Sequence, residues 1–154
     1  GKPLPPLKEL VGQRGDRERG RDLFFSKAQC ASCHQVARQG KSIGPDLTEI
    51  GSKLSRVILY TSILDPSAAI SHNYENHELV TVDGKIETGI LLSRDATGTT
   101  LKNAEGIVRS FANAEIESFR TLPISLMPSG IEKKLTEEEL VDLVQYLASL
   151  KNSR

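Results

Sequence analysis

The chain has no tryptophan, one methionine and two cysteines, and aromatic residues make up only 5% of its 154 residues. That is little aromatic surface for the core of such a chain, so something other than side chains is expected to fill part of the interior. Excess charge is missing as well: 20 Lys/Arg against 20 Asp/Glu leave a formal net charge of +0. A general nucleic-acid binder needs a basic surplus, so that class is disfavoured. No apolar run approaches the roughly 18–20 residues of a membrane span. No N-terminal stretch joins positive charge to an apolar segment, so no signal peptide is read, and the compartment has to be inferred from chemistry. The length suits one domain.

The neutral total hides an asymmetry. Residues 1–56 carry 11 Lys/Arg against 6 Asp/Glu, and residues 57–154 carry 9 against 14. Such a split yields either solvated faces or a basic front that steers an acidic partner.

Both cysteines stand in the run Cys30-Ala31-Ser32-Cys33-His34. Four chemistries use this spacing. A dithiol redox pair usually follows a strand in a βαβ setting, but Asp16–Ala28 reads as a helix and no such pattern follows. A zinc site could add His72 and His77, yet the 38 residues between Cys33 and His72 are far more than a compact finger holds. A disulfide across two residues would close a small, strained ring. Covalent haem attachment uses Cys-x-x-Cys-His: two thiols one turn apart reach two vinyl groups on one side of the porphyrin, and the next residue falls beneath the iron. On that reading Cys30 and Cys33 are the attachment points and His34 is the proximal ligand.

The surroundings favour the haem reading. Gly44-Pro45-Asp46-Leu47 follows about ten residues after His34. A ligating histidine needs its other ring N–H held by an acceptor, and Pro45, with its locked φ, presents a carbonyl rigidly. Met127 lies in Leu126-Met127-Pro128-Ser129-Gly130, a loop signature with no helical stripe to join. It is the candidate second axial ligand. His72 and His77, which flank Tyr74, are its rivals.

With these runs in place the chain resembles the mono-haem c-type cytochromes with His/Met ligation. The likeness is carried by Gly20-Arg21-Asp22-Leu23-Phe24, the Cys30–His34 pentapeptide, Gly44-Pro45-Asp46-Leu47, Gly51, Met127-Pro128 and a last helix ending in Tyr146-Leu147. More narrowly, it is similar to the haem-binding domain at the C-terminus of large secreted planctomycete and related bacterial proteins, often beside predicted sugar or alcohol dehydrogenase propellers. Ser62-Ile63-Leu64-Asp65-Pro66-Ser67, the Asp83-Gly84 hairpin and Ser125-Leu126-Met127-Pro128 fit that group. The likeness spans roughly residues 16–151. It implies a mainly α cytochrome c fold, with about three to five helices around one covalent haem c. It also implies a close crossing of the first and last helices at Gly20, with Phe24 and Tyr146 packed there, and a pocket lined by Leu47.

The remaining pattern completes the expected order. Residues 1–13 are Pro-rich and read as a linker. A first helix is expected over Asp16–Ala28. A second is expected over Ser52–Leu64, with Leu54, Val57, Ile58, Thr61, Ile63 and Leu64 near helical period, Ser52 as its cap and Asp65-Pro66 as its stop. Arg56 and Tyr60 sit four apart on one face of it and are candidates to reach a haem propionate. Residues 14–77 thus form the N-terminal cytochrome part. Residues 78–122 change period: strands flank Asp83-Gly84, two more flank Glu105-Gly106, and a fifth runs from Ala114 to Phe119. They read as an inserted antiparallel β-meander or small barrel, making the chain α+β overall. Residues 123–154 hold the Met127 loop and a last helix, opened by the capping box Thr136-Glu137-Glu138-Glu139 and carrying the stripe Leu140, Leu143, Val144, Leu147, Leu150.

The function expected from this set is one-electron transfer by a low-spin haem, not catalysis. Two strong axial ligands leave iron no open position, and a neutral thioether favours the ferrous state. The partners expected are redox proteins, a fused or separate dehydrogenase as donor and a respiratory cytochrome or oxidase as acceptor. Haem attachment places the chain in the periplasm or another extracytoplasmic space. The rival expectation is a haem whose Met127 dissociates, giving peroxidase chemistry or CO/NO sensing.

Overall fold

The computed structural model describes residues 2–152. Among them five α-helices and one five-stranded antiparallel sheet give an α+β chain. The helices are α1 (Leu7–Gly12), α2 (Arg17–Phe25), α3 (Ile50–Lys53), α4 (Arg56–Leu64) and α5 (Glu137–Ser149).

The pairing of α2 with α5 is the backbone of the helical part. Asp16 caps α2 by accepting from the Arg19 N–H at 2.9 Å, as a short acidic side chain does at a helix start. Gly20 lies directly under α5: an added Cβ would overlap the Asp142 carbonyl oxygen. Only a bare Cα allows so close a crossing, which outweighs the roughly 1 kcal/mol that glycine costs inside a helix. One turn on, Phe24 is fully buried and meets Tyr146 edge to face, with ring centroids 5.7 Å apart. The buried Asp142 carboxylate accepts from the Asp16 N–H at 2.7 Å and from Arg19 Nε at 3.0 Å, so its charge is paired rather than stranded. The Thr136 box forms in both directions, Glu139 N–H to Thr136 Oγ1 at 3.1 Å and Thr136 N–H to Glu139 at 2.9 Å.

Three boundaries differ from the sequence reading. The first helix stops at Phe25 rather than Ala28, where the Ser26 hydroxyl turns back to the Asp22 carbonyl at 2.6 Å and Gln29 takes a left-handed φ of 55°. Such back-bonding competes with the helix ladder. The second helix splits in two, because Leu54 is extended and Ser55, not Ser52, caps α4. Its front piece, α3, docks on the end of α5 through Gly51 N–H to the Leu150 carbonyl at 2.7 Å. Residues 1–13 are not a bare linker: α1 forms within them, Leu10 is 1% exposed, and Tyr60 Oη donates to the Leu10 carbonyl.

The strands are β1 (Asn76–Thr81), β2 (Ile86–Asp95), β3 (Gly98–Lys102), β4 (Val108–Phe111) and β5 (Ile116–Thr121), in the order β4-β3-β2-β1-β5. The first four form a meander. The fifth crosses back to pair with β1, so the sheet is neither a simple meander nor a closed barrel, and β4 and β5 are its edges. Bulges at Val80/Thr81 and Leu91/Ser93 coil it, until the Arg94 guanidinium lies 4.1 Å over the Phe119 ring. Within the sheet Leu79, Thr99 and Leu101 are buried. The sheet reaches the helical part through Ile90, which lines the main pocket, and through Lys102 Nζ, which donates to the Ser42 carbonyl at 2.8 Å.

Candidate haem site

A pocket with about 1070 Å³ of empty space, its open mouth included, lies between α4, the loop after α2, the sheet and the segment after β5. Cys30 and Cys33 flank a short 3₁₀ turn that follows the end of α2. The turn is closed by His34 N–H to the Cys30 carbonyl at 2.9 Å, which brings the two thiols and the His34 ring to one wall of the pocket. Neither cysteine is in a disulfide. Burial pushes the Cys30 thiol up to about 12 and also raises Cys33. Both are therefore neutral thiols near pH 7, not the activated thiolate of a redox pair.

The His34 ring is fixed from behind. Its Nδ1 lies 2.7 Å from the Pro45 carbonyl oxygen. A carbonyl only accepts, so Nδ1 carries the hydrogen and Nε2 keeps a lone pair. Burial lowers the pKa of His34, against the Pro45 bond, which raises it, so the ring is neutral near pH 7. Gly44 forms the seat of the ring: an added Cβ would stand 2.7 Å from His34 Cε1 and 3.0 Å from Nδ1. The chain also bonds this loop to the attachment turn, through Gly44 N–H to the Cys33 carbonyl at 2.7 Å.

The other walls are apolar. Leu47, Leu54, Leu59, Ile63 and Leu147 come from the helical part, Ile43 from the loop and Ile90 from β2. Ser125, Leu126 and Met127 close the remaining side. Cys30, Cys33, His34, Pro45, Leu47 and Met127 are thus brought to one cavity from three distant stretches of chain.

Arg56 and Tyr60 are not. The sequence reading aimed both at a propionate, but neither lines the pocket. Tyr60 is fully buried against α1, and Arg56 Nη2 donates to Gln145 on α5 at 3.2 Å. They occupy the face of α4 that α1 and α5 cover. The tyrosine that does line the pocket is Tyr74, which the sequence marked only as the neighbour of two histidines. Ile90 was missed too: it lies in the expected hairpin strand, but Ile86 and Leu92 on the same parity are exposed, so no period-two signal marks it.

The rival histidines stand apart from the pocket. His72 is exposed and lies 3.5 Å from Glu75. His77 is buried in β1 and stacks on Phe119 with ring centroids 5.1 Å apart. Among the described residues no group of three or more His, Cys, Asp or Glu side chains is placed to hold a metal ion.

The donor set fits a haem. Two neutral thiols, an imidazole with its outer N–H already bonded, a glycine seat where a Cβ would crowd that imidazole, and a thioether share a mostly apolar cavity.

Residues 17–85 match the Cytochrome c family model. The match supports a c-type cytochrome domain, a family whose members carry electrons through a covalently bound c-type haem. It contains the attachment turn, Pro45, α4, β1 and the Asp83-Gly84 turn, and it ends before β2 and the Met127 loop. No curated protein matches the chain. No helix among the described residues is long and apolar enough to cross a membrane.

Proposed function

We propose that the pocket would hold one haem c, attached through Cys30 and Cys33 with His34 and Met127 as its iron ligands, and that the chain is a one-electron carrier. The observation that carries this is the convergence of the attachment pentapeptide and the chain's single methionine on one apolar cavity. When bound, the group supplies a ferric/ferrous couple whose potential a thioether ligand raises.

The chain's own residues do the rest. The Pro45 carbonyl holds the Nδ1 proton and fixes the tautomer and angle of the His34 ring. Gly44 leaves that ring room. Leu47, Leu59, Ile63 and Ile90 exclude water, which keeps the surroundings from reorganising as charge comes and goes. The Met127 loop supplies the opposite side. Pro66 and Tyr74 also line the cavity, and the Tyr74 phenol is the polar group proposed to take the propionate role once assigned to Arg56 and Tyr60.

The finer reading follows the resemblance. The chain is proposed to be of the planctomycete type, to work outside the cytoplasm, and to relay electrons from a fused or partner dehydrogenase to a respiratory acceptor. The test of the central claim is spectroscopic. The purified protein should give a c-type pyridine haemochrome, and its ferric form the weak far-red thioether–iron band. Met127→Ala should lose that band, turn high-spin and bind CO when reduced. A wild-type spectrum that Met127→Ala leaves unchanged would move the ligand to His72 or His77 and overturn the assignment.

A further inference from the structure

We propose that Ser67 and Ser125 are positioning residues that hold the Met127 loop against the rim of the pocket, and so set how easily an outside ligand replaces Met127. The proposal rests on the ligation proposed above.

The loop runs from Leu122 to Gly130 with neither helix nor strand. It contains Pro123 and Pro128, which have no N–H to anchor it. Ile124 is 64% exposed and gives no packing anchor. At its start, Leu122 N–H donates to the Asn76 carbonyl at 2.8 Å, which ties it to β1. Among the described residues, backbone N–H groups from Pro123 to Ser129 make two hydrogen bonds. Ser125 N–H donates to Ser67 Oγ at 3.0 Å, and Met127 N–H donates to Ser125 Oγ at 3.1 Å.

These two bonds act in series. Ser67 follows Pro66, which is buried and lines the pocket just past the end of α4. The stretch is itself turned, by Ala68 N–H to the Asp65 carbonyl at 3.0 Å. The Ser67 hydroxyl therefore joins the helical rim to a loop 58 residues further along the chain, and the Ser125 hydroxyl passes that anchorage on to the backbone of Met127. Without either hydroxyl, what remains to hold the stretch between the β1 tie and Gly130, among the described residues, is the packing of the partly buried residues 125–127 against the pocket.

A net hydrogen bond of ordinary strength shifts an open–closed equilibrium about 2- to 10-fold. An outside ligand that needs the open state gains apparent affinity by the same factor. The probe is imidazole titrated into the ferric haem-loaded protein and followed by loss of the far-red band. Amide exchange of Ser125 and Met127 in the reduced protein is read in parallel. Ser67→Ala and Ser125→Ala should each raise imidazole affinity about 2- to 10-fold and speed exchange at those amides. Ser67→Thr, which keeps the hydroxyl, should restore wild-type values. Ser67 is exposed, so its alanine variant should fold, with an unfolding temperature that moves far less than the imidazole affinity. If the band is present and both alanine variants keep wild-type affinity and exchange, the proposal is overturned. If the wild-type protein has no such band, the Met127 ligation falls, and the proposal falls with it.

Discussion

Replacing Gly44 by alanine would place a methyl group 2.7 Å from His34 Cε1 and 3.0 Å from Nδ1. To reach ordinary contact near 3.4 Å the ring must retreat by about 0.7 Å. It has nowhere neutral to go. Its Nδ1 is already 2.7 Å from the Pro45 carbonyl, and a shift of that size stretches or misaligns the bond beyond useful geometry. The backbone cannot easily yield either, because the Gly44 N–H is bonded to the Cys33 carbonyl at 2.7 Å. A hydrogen bond of this kind is worth about 0.5–1.5 kcal/mol net. It makes the imidazole a stronger donor and so favours ferric iron. Its loss, taken up in the ferric state, should raise the reduction potential by about 20–65 mV, at 59 mV per tenfold change for one electron. The assay is a spectroelectrochemical titration of wild type and Gly44→Ala, with the far-red band monitored to show that the methionine side is intact. An unchanged potential with the band retained would refute the reasoning, because it would mean that the ring is not seated on Gly44 or that Pro45 does not tune it.

Other substitutions separate packing from site. Gly20→Ala should lose about 1–3 kcal/mol through overpacking, despite the better helix propensity of alanine, and lower Tm by about 2–4 °C per kcal/mol. A variant as stable as wild type in thermal unfolding would contradict the close crossing. Tyr60→Phe should cost about 0.5–1 kcal/mol by removing one of the two donors to the Leu10 carbonyl, which keeps the Gln13 N–H at 3.1 Å, while the potential stays at the wild-type value; a shifted potential would return Tyr60 to the site. Glu139 is held below its ordinary value of 4.5, first by the Lys27 hydrogen bond and then by the Thr136 N–H. Its stabilisation is therefore present above that value and lost as pH falls through the lowered one. Glu139→Gln keeps the cap but not the charge, so it should be less stable than wild type near pH 7, and the gap should close on acidification when chemical denaturation is repeated at falling pH.

The parts legible in the sequence were those fixed by local chemistry. The pentapeptide, the Pro45 turn and the methionine between Leu126 and Pro128 each carry their reason within a few residues. So do the Thr136 box and the Asp83-Gly84 turn, where Gly84 takes a φ of 87°. What stayed hidden depended on partners far along the chain. Six residues in α1 have little reason to be helical alone; they form where Leu10 can bury against Tyr60. The apolar stripe across Ser52–Leu64 concealed a competition that Ser55 won by capping. A helix face says that Tyr60 is buried, not which of two neighbours buries it. The place of β5 beside β1 is a pairing that no short-range signal records.

The sheet's insertion between α4 and the methionine loop also bears on how the domain assembles. His34 and Met127 are 93 positions apart, and bringing such ends together costs conformational entropy that grows with the logarithm of the separation. Once the sheet has formed, Leu122 sits on Asn76, and the intervening strands no longer count as free chain. The separation left to close is then roughly half, a relief of about 0.6 kcal/mol. Before that, His72 and His77 are nearer in sequence than Met127 to the proposed haem attachment at Cys30 and Cys33, so, if the proposed ligation holds, a slow phase from wrong His ligation is expected when the sheet is destabilised. The insertion is in this sense a shortcut in the chain: once the sheet is formed, it shortens the path to the sulfur proposed as ligand but not the path to the nearby imidazoles.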